Sequence, residues 1–382
     1  MKNNSYLSEL RGLFSSEPCN TQRQHEVDLA KAIVASCLAA IHVFVKCSTD
    51  EILDSYGIPY FFDSILGGPM AAPMFMFCMG IGLIYAKDHS PRHVFFRGVW
   101  LFCMSFVLNT VRYVIPSAIG YCITGDFDFY FDSMVIQFFS NDIWQFAGLA
   151  HMVMALFLKL GMTPFGTLIA GMVMHGVGYI FNDIDTGSDV TNLILCHLIG
   201  VGCEGRIESD FPLLLWFVIY AAGFVYGYYL QHLKDKDRFY KMVTVPLLLI
   251  SVSVMIGEAF MGVGMMGGSG ANVFYHMSLP EAFVCIVFVI ANLGIYYRIT
   301  KHMTVRAIAI VEDMSRSLMG IYFVQWCLVM WTIDLIIYPL RGDKYLDWPY
   351  ELLIGVILGY LSVVVGNIVS DYVHNRHEDH IF

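Results

Sequence analysis

Residues 25–46 of this chain read HEVDLAKAIVASCLAAIHVFVK, an apolar run long enough to cross a bilayer as a helix. The run nevertheless carries three ionisable side chains, Asp28, Lys31 and His42. Ionisable groups inside a spanning helix are costly, and they usually face a bundle interior or a watery cavity. Lys31 and His42 are eleven residues apart, which at roughly 100° per residue returns both to nearly the same face. This polar stripe predicts a helix that lines a functional pathway across the membrane.

The composition of the whole chain agrees with membrane residence. Of its 382 residues, 57% are hydrophobic and only 14% are charged, whereas soluble proteins average roughly 25% charged. The sequence has neither a basic stripe nor a nucleic-acid reader motif, so we expect no nucleic-acid partner. The cysteines and histidines lack the spacings of zinc sites, and we expect no metal.

Ten apolar segments are candidates for membrane spans. Their approximate limits are 27–46, 68–86, 93–111, 143–160, 164–181, 211–230, 242–261, 281–298, 316–338 and 351–372. The sequence therefore predicts an all-α integral membrane protein, built as a single bundle of about ten transmembrane helices. We expect residues 1–26 to form an N-terminal segment, 27–373 the bundle and 374–382 a polar tail. The apolar segment 192–203 is too short to cross, and we interpret it as re-entrant or interfacial.

The basic residues predict the orientation of the bundle. With a cytoplasmic N-terminus, sixteen of the 22 Lys and Arg residues fall in inner segments and five in outer ones, and Lys31 lies inside the first span. This asymmetry follows the positive-inside rule, so both termini are predicted to be cytoplasmic. Lys31 then lies toward the cytoplasm and His42 toward the outer face. We expect an uncleaved, multi-pass protein of the plasma (inner) membrane.

The first candidate site is the stripe on the first span. Asp28 precedes Lys31 by three residues, close enough on a helix to pair with it. His42 can act as a general base, because neutral imidazole binds a proton near neutral pH. The alternative interpretation is helix packing, with a buried ion pair and a histidine bonded to a neighbouring backbone.

The second candidate site lies at the start of the third span, where Arg92 and Arg97 occur. The guanidinium fork suits phosphate binding. Arginines at the inner face are also expected from orientation alone, so this alternative stays open.

The third candidate site joins the outer ends of the third and fourth spans. It consists of Asn109, Arg112, Asp142, Gln145 and His151. Asn141 and Asp142 precede an apolar helix, and one of the two can cap it. Gln145 lies one turn from Asp142 on the same face. Arg112 is one of few outer cations, so we expect a carboxylate partner such as Asp142. These residues either line the outer half of the pathway or form only a cap and a structural pair.

Two further features of the sequence also have interpretations. The stretch DFDFYFD, residues 126–132, is either an aromatic belt at headgroup level or a stacking platform for sugar rings. Lone polar residues in later spans, Gln325 among them, are interpreted as structural.

Several stretches resemble known membrane acyltransferases. VDLAKAIVASCLAAIHV resembles the first helix of the acyltransferase type 3 family, where an aspartate is followed by a basic residue, ten further residues and a histidine. FFRGVWLFCMSFVLN resembles that family's third span, and more closely that of relatives akin to heparan-α-glucosaminide N-acetyltransferase. DIWQFAGLAHMVMAL and FPLLLWFVIYAAGFVYGYYL resemble the fourth and sixth spans of these relatives, and SRSLMGIYFVQW resembles a stretch near their end. Lys31 stands where the family usually has arginine.

The resemblance implies a membrane acyltransferase. It implies an acyl-CoA donor, with acetyl-CoA the expected one, entering from the cytoplasm. The acceptor would be a hydroxyl or amine of a glycan or glycolipid at the outer face. In this interpretation His42, Lys31 and Asp28 are catalytic, Arg112, Asp142, Gln145 and Asn109 bind the acceptor, and Arg92 and Arg97 bind the donor.

Two other functions stay open at the level of the sequence. One is a proton-coupled secondary transporter of a small polar solute, with His42 and Asp28 as a proton relay. The other is a non-catalytic membrane scaffold or sensor. The sequence also leaves open the acceptor, the acyl chain length, O- versus N-acylation, and the oligomeric state, a homodimer included.

Overall fold

The computed structural model describes residues 3–53, 55, 57–201, 209–267 and 274–378. The chain is 80% helical, and its described residues contain no β-strand, which confirms the predicted all-α fold. The helices are α1 Asn3–Gly12, α2 His25–Cys47, α3 Ile58–Ile84, α4 Pro91–Thr124, α5 Phe127–Phe138, α6 Ile143–Lys159, α7 Pro164–Ile180, α8 Asp189–Leu195, α9 Leu213–Gln231, α10 Lys236–Met261, α11 Leu279–Thr300, α12 Val305–Arg316, α13 Leu318–Arg341 and α14 Trp348–Glu378.

Eight of the described helices are long and apolar enough to cross a membrane: α2, α3, α4, α9, α10, α11, α13 and α14. Two shorter apolar helices, α6 and α7, have 17 residues each. Near the end of α6, Leu158 lies beside residues 87–91 at one end of the bundle. Just before α6, Asn141 pairs with Ser209 at the other end. The eight long apolar helices make this a multi-pass membrane protein, and α6 and α7 are shorter apolar helices of the same bundle.

Hydrogen bonds between distant segments define the two ends of the bundle. At one end, which we call the N-terminal end, Ser15 N–H donates to His232 O at 2.7 Å and the Tyr85 hydroxyl donates to Asn20 O at 3.0 Å. At the opposite, distal end, Ser48 donates to the Glu351 carboxylate at 2.8 Å. Which membrane face each end occupies stays a prediction from the basic residues.

Close backbone packing joins α3 to α9. A Cβ atom on Gly80 would lie 2.2 Å from Tyr220 O, and one on Gly223 would lie 2.0 Å from Phe77 O. Small residues let membrane helices approach until their backbones touch, and dispersion contacts then stabilise the pair. α2 lies inside the bundle and packs against α3, α11, α12, α13 and α14, which places its polar stripe within the protein rather than against lipid.

Widened, π-helical turns shape α3 and α4. They occur over Phe61–Ala71 and Thr110–Val114. In α4, Pro116 has no N–H to bond the carbonyl of Arg112, and its ring crowds that carbonyl, so the preceding turn opens. The predicted second span begins at residue 68, and α3 is kinked there, because Gly68 has non-helical φ/ψ (−70°, −113°). A further helical segment, which the prediction missed, precedes this kink from Ile58. The predicted third span ends at 111, whereas α4 continues to Thr124.

Three other segments differ from a simple loop-and-span pattern. The acidic aromatic stretch forms the start of α5, where Asp126 caps the helix and the Phe129 ring stacks on Tyr338 at 3.5 Å. A hydrogen bond from Tyr338 lowers the pKa of Asp126. Within the apolar segment 192–203, the described part contains only the end of the short helix α8, and residues 202–203 lie outside the described residues. The predicted tail begins as a continuation of α14.

Candidate functional site

A cavity of about 190 Å³ lies within the bundle toward its distal end. It is lined by α2, α3, α4, α6 and α13, together with residues near 210 and 275. The cavity wall changes from apolar to charged along its length. Toward the N-terminal end the lining includes Leu38, Ala71, Ala72 and Phe75, and toward the distal end it includes Lys46, Asp63 and Asp210. The cavity therefore offers an apolar half and a charged half.

His42 of α2 lines this cavity and is held by α13. Its ring stacks on the Trp326 ring with centroids 3.8 Å apart and planes at 20°. The side-chain amide of Gln325 lies 2.6 Å from His42 Nδ1. Tyr322 meets the imidazole edge-on at 6.5 Å. Because Gln325 engages His42 Nδ1, His42 Nε2 is the ring nitrogen left for a substrate to contact.

A buried ion pair stands next to His42. Arg112 Nη1 lies 2.5 Å from Asp142 Oδ2, and only 1% of Arg112 is exposed. The Tyr322 hydroxyl donates to both oxygens of Asp142 at 2.8 Å. The guanidinium also lies 4.5 Å from the ring centroids of Tyr113 and Trp326. Trp326 thus contacts both His42 and Arg112, and the predicted Arg112–Asp142 pair is confirmed.

Asn109 and Gln145 hold this pair in place. Asn109 Oδ1 accepts from Arg112 Nε at 3.1 Å and from Nη2 at 2.7 Å. Gln145 Oε1 accepts from the backbone N–H of Asp142 at 3.1 Å, which completes a capping box at the start of α6. Neither side chain is among those that line the cavity. The two interpretations of Asp142 are both realised, since it caps α6, pairs with Arg112 and lines the cavity.

Asp28 and Lys31 lie closer to the N-terminal end. Asp28 accepts hydrogen bonds from Arg23 Nε at 2.7 Å and from the Ser315 hydroxyl at 2.6 Å. The predicted Asp28–Lys31 pair is therefore wrong, because Arg23 folds back from outside the helix and offers a better-matched guanidinium fork. The bond to Asp28 raises the pKa of Arg23. Lys31 lies about 10 Å along α2 from Leu38, the cavity-lining residue of that helix nearest the N-terminal end.

The two arginines predicted to bind the donor lie at the start of α4. Arg92 and Arg97 are both exposed, and the Arg92 guanidinium lies 5.9 Å over the Phe96 ring. They are at the N-terminal end of the bundle, opposite the charged half of the cavity. Their role in phosphate binding stays a prediction.

The structure adds α13 to the site. Tyr322, Gln325 and Trp326 are spaced three and four residues apart, so they share one helix face. Our sequence interpretation treated Gln325 as structural and did not single out the other two. The signal that would have found them is this spacing within SRSLMGIYFVQW, a stretch that already resembled the acyltransferases.

Comparison with known families gives one clear correspondence. A family model described as heparan-alpha-glucosaminide N-acetyltransferase, catalytic, matches residues 23–263. The match covers more than half of the chain and includes His42, Arg112 and Asp142, whereas α13 lies beyond it. The chain matches no curated protein and no solved structure.

Proposed function

The chain belongs to the heparan-α-glucosaminide N-acetyltransferase catalytic family, and we propose that it moves an acetyl group from acetyl-CoA to a glucosamine-type acceptor. Membership of the family indicates an acetyltransferase-type enzyme of the membrane. The observation that carries the proposal is the placement of His42. Among the described residues that line the cavity, His42 is the only histidine. It lies between an apolar half and a charged half, and Gln325 holds one of its two ring nitrogens.

His42 acts as the general base in the proposed reaction. Nε2 takes the proton from the acceptor's amine or hydroxyl as that group attacks the thioester carbonyl. The new C–N or C–O bond forms, the C–S bond breaks, and the CoA thiolate leaves and takes up a proton. General-base catalysis of this kind contributes about 10²–10⁴-fold in rate. A transient acyl-histidine is the variant of this mechanism, in which Nε2 attacks first.

The buried ion pair supports the electrostatics of this step. Arg112 is desolvated and fixed by Asp142, Asn109 and two aromatic rings. A preorganised cation in a dry site favours negative charge that develops on a nearby carbonyl oxygen. Because its neighbours are fixed before the substrate arrives, little reorganisation is needed during the reaction.

The change of polarity along the cavity suggests how the two substrates are arranged. The apolar half, with Leu38 and Phe75, suits the thin acyl-thioester arm of the donor. The charged half, with Asp63 and Asp210 and the rings of Phe211 and Tyr275, suits a polar sugar. We therefore place donor entry at the N-terminal end and acceptor entry at the distal end.

The donor nucleotide cannot share the cavity with an acceptor, because about 190 Å³ holds only the reacting ends of the two substrates. The cationic residues at the N-terminal end are the candidates for its phosphates. Lys31, Arg92 and Arg97 are the three that the sequence singled out, and each would act as a binding group rather than a catalytic one. The predicted catalytic role of Asp28 is replaced in this proposal by a structural one, since its carboxylate joins Arg23 to α12.

The test is acetyl transfer by the detergent-purified protein. Radiolabelled acetyl-CoA and glucosamine are supplied, and product is measured per folded protein for wild type, His42→Ala and a control, His175→Ala. His175 is also buried, on α7, but its Nδ1 bonds Leu215 O, and it does not line the cavity. We expect His42→Ala to transfer acetyl groups about 10²–10⁴-fold more slowly than wild type. His175→Ala should keep the wild-type rate. Equal rates for wild type and His42→Ala contradict the role of His42, and gradient-driven solute uptake without CoA release favours the transporter.

A further inference from the structure

The environment of Gln325 poses a specific chemical question. The residue is fully buried on α13, and its amide Nε2 lies 2.6 Å from His42 Nδ1. Its other amide atom, Oε1, has no hydrogen-bond partner. A polar residue placed in a spanning helix with half of its hydrogen-bonding capacity unused is costly, so its position against His42 calls for a role beyond packing.

The orientation of this amide sets the protonation of the imidazole. A neutral histidine carries its proton on one ring nitrogen only, and a partner at Nδ1 decides which. When Gln325 Nε2 donates to His42 Nδ1, the imidazole proton must reside on His42 Nε2. A half-turn of the Gln325 amide exchanges its oxygen and nitrogen. Gln325 Oε1 then accepts a hydrogen bond from His42 Nδ1–H, and His42 Nε2 keeps its lone pair. Only this second arrangement leaves a base facing the cavity.

We propose that Gln325 is a positioning residue that holds His42 protonated at Nδ1. Gln325 Oε1 accepts the hydrogen bond from His42 Nδ1–H, so that His42 Nε2 is free to take the proton of the acetyl acceptor. The inference rests on the proposed acetyl transfer and assigns a tautomer and a partner to its base. No other described side chain bonds Nδ1, and Trp326 fixes the plane of the ring by stacking. The two contacts together leave the imidazole one position and one useful protonation state.

A neutral partner suits this site better than a carboxylate. The charged groups that act on His42 are Asp142, Arg112 and Lys46, and the nearby Tyr322 hydroxyl is committed to Asp142. Of these, Asp142 and Arg112 form an ion pair whose charges already offset each other. A carboxylate at position 325 would favour the charged imidazolium, which is no longer a base. An amide orients the ring without adding a charge to the bundle interior.

The first test compares two replacements of Gln325 by steady-state kinetics over pH. Gln325→Met keeps the size of the side chain and removes the acceptor, so we expect kcat to fall about 10-fold with KM for both substrates unchanged. Gln325→Glu restores an acceptor, so kcat at high pH should recover toward wild type. The acidic limb of the pH–rate profile of Gln325→Glu should move to higher pH, because the carboxylate stabilises the imidazolium. Asn292→Leu, at a buried amide on α11 outside the cavity, is the control and should keep the wild-type profile.

The contradicting outcomes of this test are equally specific. A Gln325→Met protein with wild-type kcat and pH profile overturns the proposal. So does a Gln325→Glu protein that is as slow as Gln325→Met at every pH, because any loss would then reflect packing alone.

A second test reads the tautomer directly and does not depend on activity. The protein is labelled with ¹⁵N-histidine, and the His42 signals are assigned by their loss in His42→Gln. We expect wild type to show a protonated Nδ1 and an unprotonated Nε2, and Gln325→Met to shift toward the Nε2–H form. A wild-type ring protonated at Nε2 overturns the proposal. If wild type shows the expected tautomer but transfers no acetyl group, the proposed function fails while the assignment of Gln325 as the tautomer-setting partner stands.

Discussion

Replacing Asp142 by asparagine isolates the energetic value of the buried ion pair. Asparagine caps a helix about as well as aspartate, so the start of α6 should persist. The substitution then removes only the negative charge that pairs with Arg112, and Arg112 is 1% exposed. Removing one member of a buried pair costs about 3–5 kcal/mol. Asn109 still accepts two of the guanidinium's hydrogen bonds, so we expect the lower value, about 3 kcal/mol, or roughly a 100-fold change in the unfolding equilibrium.

The assay is reversible unfolding of the purified protein in mixed micelles of mild detergent and SDS. Asp313→Asn is the control, because this carboxylate is exposed and pairs with the exposed Arg316 at 3.5 Å, so its loss should show no measurable change. The double variant Arg112→Met/Asp142→Asn removes the unpaired charge as well. Its cost should fall short of the sum of the two single costs by at least about 1 kcal/mol. A loss under about 1 kcal/mol for Asp142→Asn, or additive single costs, would refute a tightly coupled buried pair.

Three further predictions address packing, a helix tie and the acceptor. Gly223→Ala should destabilise the bundle by roughly 1–3 kcal/mol, because its Cβ would lie 2.0 Å from Phe77 O, whereas Gly82→Ala, with nothing within 4 Å, should unfold like wild type. Asp28→Asn should increase hydrogen exchange of α12 amides, since it weakens the bonds to that helix, and unchanged protection would contradict this tie. Asp210→Asn should raise KM for glucosamine and leave KM for acetyl-CoA unchanged. The reverse pattern would contradict binding of the acceptor in the charged half of the cavity.

The sequence predicted the features that depend on local spacing. The apolar runs gave the helices of the bundle, and the interval between the polar residues of α2 placed His42 on an inward face. The pair of Arg112 with Asp142 followed from the scarcity of outer cations and the position of a helix cap. Each of these conclusions needs only the helical repeat and the cost of unpaired charge in a membrane.

Features set by tertiary contacts were harder to predict. Asp28 had two cations within reach, and the choice of Arg23 over Lys31 depends on how the chain before α2 folds back. The Gly–Pro step of α3 is a kink between two helical segments, and the sequence did not show that a segment from Ile58 precedes it. Gln325 and Trp326 are polar or aromatic residues of a kind that occur in many spans, and only the packing of α13 against α2 shows that they hold His42.

The most direct measurement of the central claim is acetyl transfer across a sealed membrane. The protein is reconstituted in liposomes in one sorted orientation, with labelled acetyl-CoA on the side of the N-terminal end and glucosamine on the side of the distal end. We expect acetylated product on the distal side for wild type, and a rate lower by about 10²–10⁴-fold for His42→Ala. Product that forms only when both substrates share one side, or equal rates for the two proteins, would contradict a base placed between two entrances.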